Sequence, residues 1–256
     1  MLGAITGDII GSRLEFLGLK RYDFELFTPE CEFTDDSVLT FAVAEALLDN
    51  LPIAKNIKNW ATRYPGRCYG GMFAKWIHSE NDVPYNSFGN GSAMRVSSVG
   101  WLYKTIKETL EMAKKTAEVT HNHPEGIKGA QATTAAIFLA RNNKTKSEIK
   151  EYISQTFDIN LNRDYKTVQA NCQFDETCQI SVPEAIIAFL ESTDFEDAIR
   201  KSVAMGGDVD TQACITGSIA EAFYKGIPIE IEEKTKSYLN PEMTIILNKF
   251  KKKIIA

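Results

Sequence analysis

Apolar residues recur every three or four positions along most of this chain, the spacing of amphipathic helices. Two such stripes are Val38, Phe41, Ala42 and Leu48, and Ile106, Leu110, Ala113 and Ala117. The first stripe predicts a helix that follows Asp36. A run of small and apolar residues from Ala130 to Ala140 predicts another helix, one suited to close packing.

Polar residues indicate where further helices start. Ser181-Val-Pro-Glu184 has the form of a capping box with proline in the first turn, and it predicts a helix running to about Leu190. Thr193-Asp-Phe-Glu196 is a second capping box, ahead of a helix from Ala198 to Met205. From Thr211 the run TQACITGSIAEAFY predicts a helix rich in small residues, whose backbone can approach its neighbours closely.

Alternating strand patterns are weak by comparison. The best extended candidates, Asn162 to Gln169 and Ile227 to Ile231, are short, and the chain has no repeat or low-complexity linker. We therefore predict one all-α domain over residues 1–256.

Composition narrows the class of function. The chain is 44% hydrophobic and 25% charged, typical of a globular protein, and its net charge of -5 argues against nucleic-acid binding. The five cysteines lack the close spacing of a zinc or redox motif, so we expect free thiols in a reducing cytoplasm. No secretory leader or membrane-spanning run is visible, and we expect a monomer.

Two acidic clusters stand out, Thr34-Asp35-Asp36-Ser37 and Gly206-Gly207-Asp208-Val209-Asp210-Thr211, each at a predicted helix start. Either cluster alone is explained by helix capping. Together they hold four carboxylates, which repel one another unless they are protonated or a cation compensates them. Oxygen ligands favour Mg²⁺, Mn²⁺ or Ca²⁺. If both clusters face one cleft, they can form a two-metal site.

Three further segments carry polar or glycine-rich patterns. Gly7-Asp8-Ile9-Ile10-Gly11 predicts tight turns and supplies an acid, with Glu15 shortly after it. Phe88 to Arg95 reads FGNGSAMR, a glycine-rich loop whose N–H groups can bind phosphate oxygens, although such a loop is more often only a turn. Thr120-His121-Asn122-His123-Pro124 is best explained as a capped helix end.

The order GDIIG, FTDDS, GNGSAMR, THNHP and GGDVDT resembles the ADP-ribosylglycohydrolase family from about Gly3 to about Gly226. The resemblance implies a compact orthogonal helical bundle with two Mg²⁺ or Mn²⁺ ions. The implied metal ligands are Thr34, Asp35, Asp36, Asp208, Asp210 and Thr211. The implied substrate-binding residues are Phe88, Gly89, Asn90, Gly91, Ser92, Met94 and His121, and Glu15 matches an acid near the scissile bond.

The resemblance implies hydrolysis of the bond between ADP-ribose and a modified protein or small molecule, with Glu15 or Asp36 accepting a proton. We expect N-linked arginine as the target, with O-linked serine or acyl linkages as the alternatives. Cys68 stands where similar bacterial loops have glycine, within the expected substrate-facing segment from Tyr64 to Gly70. Two other functions stay open: a binuclear-metal phosphoester hydrolase, and a non-catalytic relative that binds ADP-ribose or is structural.

Overall fold

The computed structural model describes residues 1–255, and within them the regular structure is helical with no strand. The helices are α1 Leu2–Gly11, α2 Asp35–Asp49, α3 Ile53–Arg63, α4 Gly71–Ile77, α5 Gly91–Met94, α6 Val99–Leu102, α7 Ile106–Glu118, α8 Pro124–Arg141, α9 Lys146–Phe157, α10 Tyr165–Asn171, α11 Cys178–Glu191, α12 Phe195–Met205, α13 Val209–Phe223, α14 Ile229–Lys236 and α15 Pro241–Ile255. A 3₁₀ turn spans Glu15–Leu17. The predicted all-α fold is confirmed.

Helices α1 and α13 form the most extensive helix pair in the structure. Glycines make this possible, because a Cβ at Gly3 would lie 2.2 Å from the Gly217 carbonyl oxygen and one at Gly7 would lie 2.0 Å from the Ala213 carbonyl oxygen. The tight turns predicted for Gly7 to Gly11 are therefore wrong: these residues lie inside α1, where glycine permits close backbone contact.

Two hydrophobic clusters fill the interior, and α1, α8 and α13 contribute to both. One cluster includes Ile10 of α1 and apolar residues of α11 and α12, and the other includes Ile5 and Ile9 of α1 together with apolar residues of α2 and α3. Because neighbouring residues of α1 pack into different clusters, this helix lies between them. Within residues 1–255, no helix has both the length and the apolar character needed to cross a bilayer.

Several predicted boundaries differ from the structure. The Asn162–Gln169 and Ile227–Ile231 strands are wrong, since α10 and α14 occupy parts of those ranges. The Ser181 capping box is also wrong: α11 begins at Cys178, so Ser181 and Pro183 lie within it. Asp194, rather than Thr193, caps α12 by accepting a hydrogen bond from the Asp197 amide.

Candidate active site

The two acidic clusters meet at the N-terminal ends of α2 and α13. Thr34 caps α2, and Asp35 and Asp36 occupy its first turn, while Asp208 precedes α13 and Asp210 lies in its first turn. The Thr211 hydroxyl donates a 3.2 Å hydrogen bond to Asp36 Oδ2, so the clusters are in direct contact although they are 175 residues apart in sequence. The structure therefore brings the two clusters together in one place.

Asp36, Asp208 and Asp210 of these clusters form two carboxylate groups with Asp8 and Glu15, and Asp210 belongs to both groups. In one group, oxygens of Asp8, Asp36 and Asp210 lie within 4.8 Å of one another, and in the other the same holds for Glu15, Asp208 and Asp210. Gly11 permits the approach of α1, since a Cβ there would lie 2.4 Å from the Asp210 Cα. Two adjacent groups of oxygen atoms with one common residue can hold two cations side by side.

Burial and mutual repulsion disfavour charge on these acids. Burial, followed by the nearby carboxylates, raises the pKa of Asp36 and Asp210 well above its usual range. Burial raises the pKa of Asp8 to about 6 and, with Asp208 and Glu176, the pKa of Glu15 to about 7. Asp36 Oδ1 is buried and has no hydrogen-bond partner. A cation would satisfy that oxygen and offset the repulsion, so the residues fit bound metal ions.

A cleft of about 570 Å³ opens above the acids. Of the predicted ligands, Asp35, Asp36, Asp208, Asp210 and Thr211 line it together with Glu15. Thr34 is buried behind the cleft, and its hydroxyl lies 2.6 Å from Asp8 Oδ1. Its position supports Asp8 and the start of α2.

The glycine-rich loop from Phe88 to Gly91 forms one wall of the cleft. Its backbone pairs with the segment before α11: the Asn90 amide donates to the Glu176 carbonyl at 2.7 Å, and the Cys178 amide donates to the Phe88 carbonyl at 3.0 Å. The Gly89 amide donates to Ser87 Oγ. Two of the loop amides expected to bind phosphate are thus already paired within the protein.

The predicted substrate-binding residues divide into three positions. Phe88, Gly89, Gly91, Met94 and His121 line the cleft. Asn90 also lines the cleft. Its side-chain amide nitrogen donates to Asp208 Oδ2 at 2.6 Å and to Ser181 Oγ at 2.9 Å, so Asn90 orients the Asp208 carboxylate. Ser92 is fully buried and donates to the Gly126 carbonyl at 2.7 Å, on the far side of the loop.

Comparison with known proteins identifies the family. The family model described as ADP-ribosylglycohydrolase matches residues 1–248. The chain belongs to the ADP-ribosylglycohydrolase family. It is therefore a glycosyl hydrolase, as the resemblance implied.

Two similar relatives and one solved structure support this membership. Human ADP-ribosylhydrolase ARH3 is 25% identical over 88% of this chain and 84% of its own length. ADP-ribosylarginine hydrolase Tri1 of Pseudomonas putida is 24% identical over 91% of this chain and 72% of its own length. A structure titled ADP-ribosylglycohydrolase-related protein complex matches with a TM-score of 0.76 at 22% identity, covering 99% of this chain and 97% of that one. The structural match shows a shared fold.

Asp8 and Ser181 of this glycohydrolase have contacts that their local sequence did not reveal. Asp8 Oδ2 accepts from the amide and hydroxyl of Ser37, and Oδ1 accepts from the Thr34 hydroxyl. Ser181 accepts from Asn90 and donates to the Asp175 carbonyl. The GDIIG motif indicated Asp8 only as an additional acid, because the hydrogen-bond partners of Asp8 lie far along the sequence.

Cys68, which stands where similar bacterial loops have glycine, has a backbone conformation typical of glycine. Cys68 lines the cleft and has a φ of 64°, in the left-handed region that favours glycine. A glycine in similar bacterial loops would adopt this conformation without strain. Cys68 adopts it here despite its side chain.

Proposed function

We propose that this glycohydrolase cleaves the N-glycosidic bond between ADP-ribose and an arginine side chain, releasing ADP-ribose. The observation that carries the proposal is the contact between the two acidic clusters at the base of the cleft, beside the glycine-rich loop. ADP-ribosylated serine and acyl esters are the other linkages to be compared. The Pseudomonas relative that is named for arginine-linked substrates favours the first choice.

The charge of the cleft supports an arginine leaving group. Glu15 and Glu176 line it without belonging to the proposed metal ligands, and each can attract a guanidinium. A guanidinium already carries positive charge and needs little help from an acid as it departs, whereas a serine alkoxide needs a proton. A cleft with this excess of carboxylates therefore suits the cationic leaving group.

We further propose Mg²⁺ or Mn²⁺ as a pair of cofactors. The ions would be held by Asp36, Asp208 and Asp210, together with Asp35 and Thr211, and Asp210 belongs to both carboxylate groups. Thr34 would support these ligands from behind, since its hydroxyl accepts from the Asp36 amide. When bound, such ions orient ribose hydroxyls and acidify water. The chain's own contribution is to hold four carboxylates close together in a buried site.

Glu15 is the better placed of the two candidate proton acceptors. It is partly exposed at the cleft surface, on the 3₁₀ turn, whereas Asp36 Oδ2 already accepts from Thr211 deeper in the site. Glu15 lies within 4.8 Å of oxygens of Asp208 and Asp210, near the place where the ribose would bind. We assign proton acceptance to Glu15 and ligand positioning to Asp36.

The test uses the full chain and peptides carrying ADP-ribose on arginine, serine or glutamate, with EDTA or with added Mg²⁺. We expect Mg²⁺-dependent release of intact ADP-ribose, fastest from arginine. The Asp210→Asn variant should lose at least about a hundred-fold in kcat, because a shared ligand is weakened, while Asp49→Asn at the distant Lys249 ion pair serves as the matched control.

The outcomes separate the three functions. Release of inorganic phosphate from simple phosphoesters, with no free ADP-ribose, would establish a phosphoesterase instead. Tight ADP-ribose binding without turnover on any linkage would establish a non-catalytic binding protein. Either result contradicts the proposal.

A further inference from the structure

A chain of buried hydrogen bonds runs beneath the Phe88–Gly91 loop from Arg95 through Thr120 to His121. Arg95 is fully buried, and its Nη2 donates to Thr120 Oγ1 at 2.8 Å and to the Thr116 carbonyl at 3.0 Å. Thr120 Oγ1 lies 2.7 Å from Nδ1 of His121. Thr120 is fully buried as well, so water does not compete for its hydroxyl.

The direction of each bond follows from the chemistry of the groups. A guanidinium only donates, so the Thr120 oxygen accepts from Arg95. The single hydroxyl proton of Thr120 is then available to His121 Nδ1. If Nδ1 accepts, the ring carries its proton on Nε2, because a neutral imidazole has one donor and one acceptor.

His121 is held in the neutral form by its surroundings. Only 5% of the residue is exposed, and burial, reinforced by the positive charge of Arg95, lowers the pKa of His121 well below its usual range. The Nε2 edge faces the glycine-rich loop, since a Cβ at Gly91 would lie 3.2 Å from it and one at Gly89 would lie 3.6 Å away. Glycine at both positions therefore leaves space in front of Nε2.

We propose that Arg95 and Thr120 are positioning residues that fix His121 as the Nε2–H tautomer, so that it donates a hydrogen bond to an oxygen of ADP-ribose lying against the Gly89–Gly91 loop. The ligand in this statement rests on the proposed function, whereas the tautomer does not. The hydrogen bonds in the chain are internal to the protein and need neither metal nor substrate.

Tyr85 provides the competing arrangement. Its ring centroid lies 6.0 Å from that of His121, and its hydroxyl lies beside Thr120. Burial raises the pKa of Tyr85 to about 12, so it stays neutral. If Thr120 donated to Tyr85 instead, His121 would have to donate from Nδ1, and Nε2 would become an acceptor that repels a phosphate oxygen.

Nitrogen NMR of the ¹⁵N-histidine-labelled protein distinguishes the two tautomers. The chain has three histidines, and signals of His78 and His123 can be assigned with a glutamine substitution at each. We expect Nε2–H for His121 in the wild type and in Thr120→Ser, which keeps the hydroxyl. Thr120→Val should give a mixture of tautomers. Thr133→Val, which removes a buried hydroxyl without a partner, is the matched control and should leave the spectrum unchanged.

Calorimetric titration with ADP-ribose tests the consequence. Only the Nε2–H tautomer donates to the ligand, so Thr120→Val should bind ADP-ribose more weakly by the factor by which its Nε2–H fraction falls, about two- to five-fold, while Thr120→Ser and Thr133→Val should match wild type. An Nδ1–H tautomer in the wild type would overturn the proposal, as would unchanged spectra and affinity in Thr120→Val. If Thr120→Val does not fold, wild type and Thr120→Ser still decide the tautomer. If the wild type fails to bind ADP-ribose, the proposed function fails while the spectra still decide the hydrogen-bond chain.

Discussion

Asp8 lies within α1, yet its carboxylate accepts hydrogen bonds from residues 26 and 29 positions further along the chain. The donors are the amide and hydroxyl groups of Thr34 and Ser37, which belong to the cap and first turn of α2. One buried acid therefore fixes the start of the helix that presents Asp35 and Asp36 to the cleft. Both Asp8 oxygens already accept hydrogen bonds, so we infer that Asp36 and Asp210 are the ion-binding members of their carboxylate group and that Asp8 supports them.

Replacing Asp8 by Asn tests this supporting role. Asn has one acceptor oxygen instead of two, so some of the amide and hydroxyl groups of Thr34 and Ser37 lose their acceptor. The metal-loaded protein should therefore lose about 1–3 kcal/mol of unfolding free energy. Metal affinity should fall about 10–100-fold. Chemical denaturation and Mn²⁺ titration measure the two effects.

The control is Asp164→Asn, at an exposed helix cap where Asn also accepts well. In EDTA the penalty for Asp8→Asn should shrink, since the substitution also removes one of the crowded negative charges. Equal penalties with and without metal would show that Asp8 has no connection to the cations.

The sequence indicated those site residues that belong to short, recognisable motifs. Asp35 and Asp210 belong to short acidic motifs at helix starts, which the sequence shows directly. That both line one cleft is seen only in the structure. The roles of Asp8 and Ser181 depend on partners far along the chain, Thr34 and Ser37 for the first and Asn90 for the second. Periodicity and capping patterns contain no information about such pairs.

Among the helices, α1 and α13 determine how closely the acidic clusters approach. Gly7 and Gly11 bring the α1 backbone against α13, and Gly11 contacts Asp210 itself. Small residues at these positions replace side-chain packing with backbone contact. The separation of these two helices consequently sets the geometry of the carboxylate groups.

Gly7→Ala should separate the two helices. The added Cβ would lie 2.0 Å from the Ala213 carbonyl, so the backbone must shift, at a cost of about 1–3 kcal/mol in unfolding free energy. Gly71→Ala, where a Cβ has no neighbour within 4 Å, is the control and should not lose stability. Urea denaturation compares them, and equal stability of both variants would refute the close-packing account.

Helix boundaries show where local patterns fail. The sequence around Ser181 matches a capping box, but α11 begins earlier, at Cys178, because the preceding segment pairs with the glycine-rich loop. Asn162–Gln169 has a weak extended pattern, yet Asp164 caps a short helix there by accepting from the Thr167 amide. Tertiary contact and a single cap outweighed residue preferences in these cases.

At the scale of the whole molecule, the acidic site lies at the junction of the two hydrophobic clusters. Helix α1 contributes to both clusters, as does α13 through Ala213 and Cys214. Charge at this junction therefore acts on the stability of the entire fold. Without cations, the buried carboxylates are a source of instability that depends on pH.

The metal-free protein should lose stability as the pH rises. The pKa of Asp8 is raised to about 6 and that of Glu15 to about 7, so the folded state binds more protons than the unfolded chain, whose carboxyls titrate near pH 4. This contribution to stability is complete below about pH 4 and is lost as the pH passes through about 7.

Denaturation in metal-free buffer at several pH values measures the decline, and the same series with Mg²⁺ is the comparison. Bound cations favour the charged carboxylates, so stabilisation by Mg²⁺ should be larger at pH 8 than at pH 5. A metal-free protein that becomes more stable over this range would contradict the description of the site.

Titration with Mn²⁺, followed by electron paramagnetic resonance, tests most directly whether the two acidic clusters hold a pair of cations. We predict two Mn²⁺ per chain with spin–spin coupling between them, and loss of that coupled signal in Asp210→Asn but not in Asp49→Asn, because Asp210 is common to both carboxylate groups. Absence of Mn²⁺ binding, or a single uncoupled ion that survives Asp210→Asn, would contradict the account.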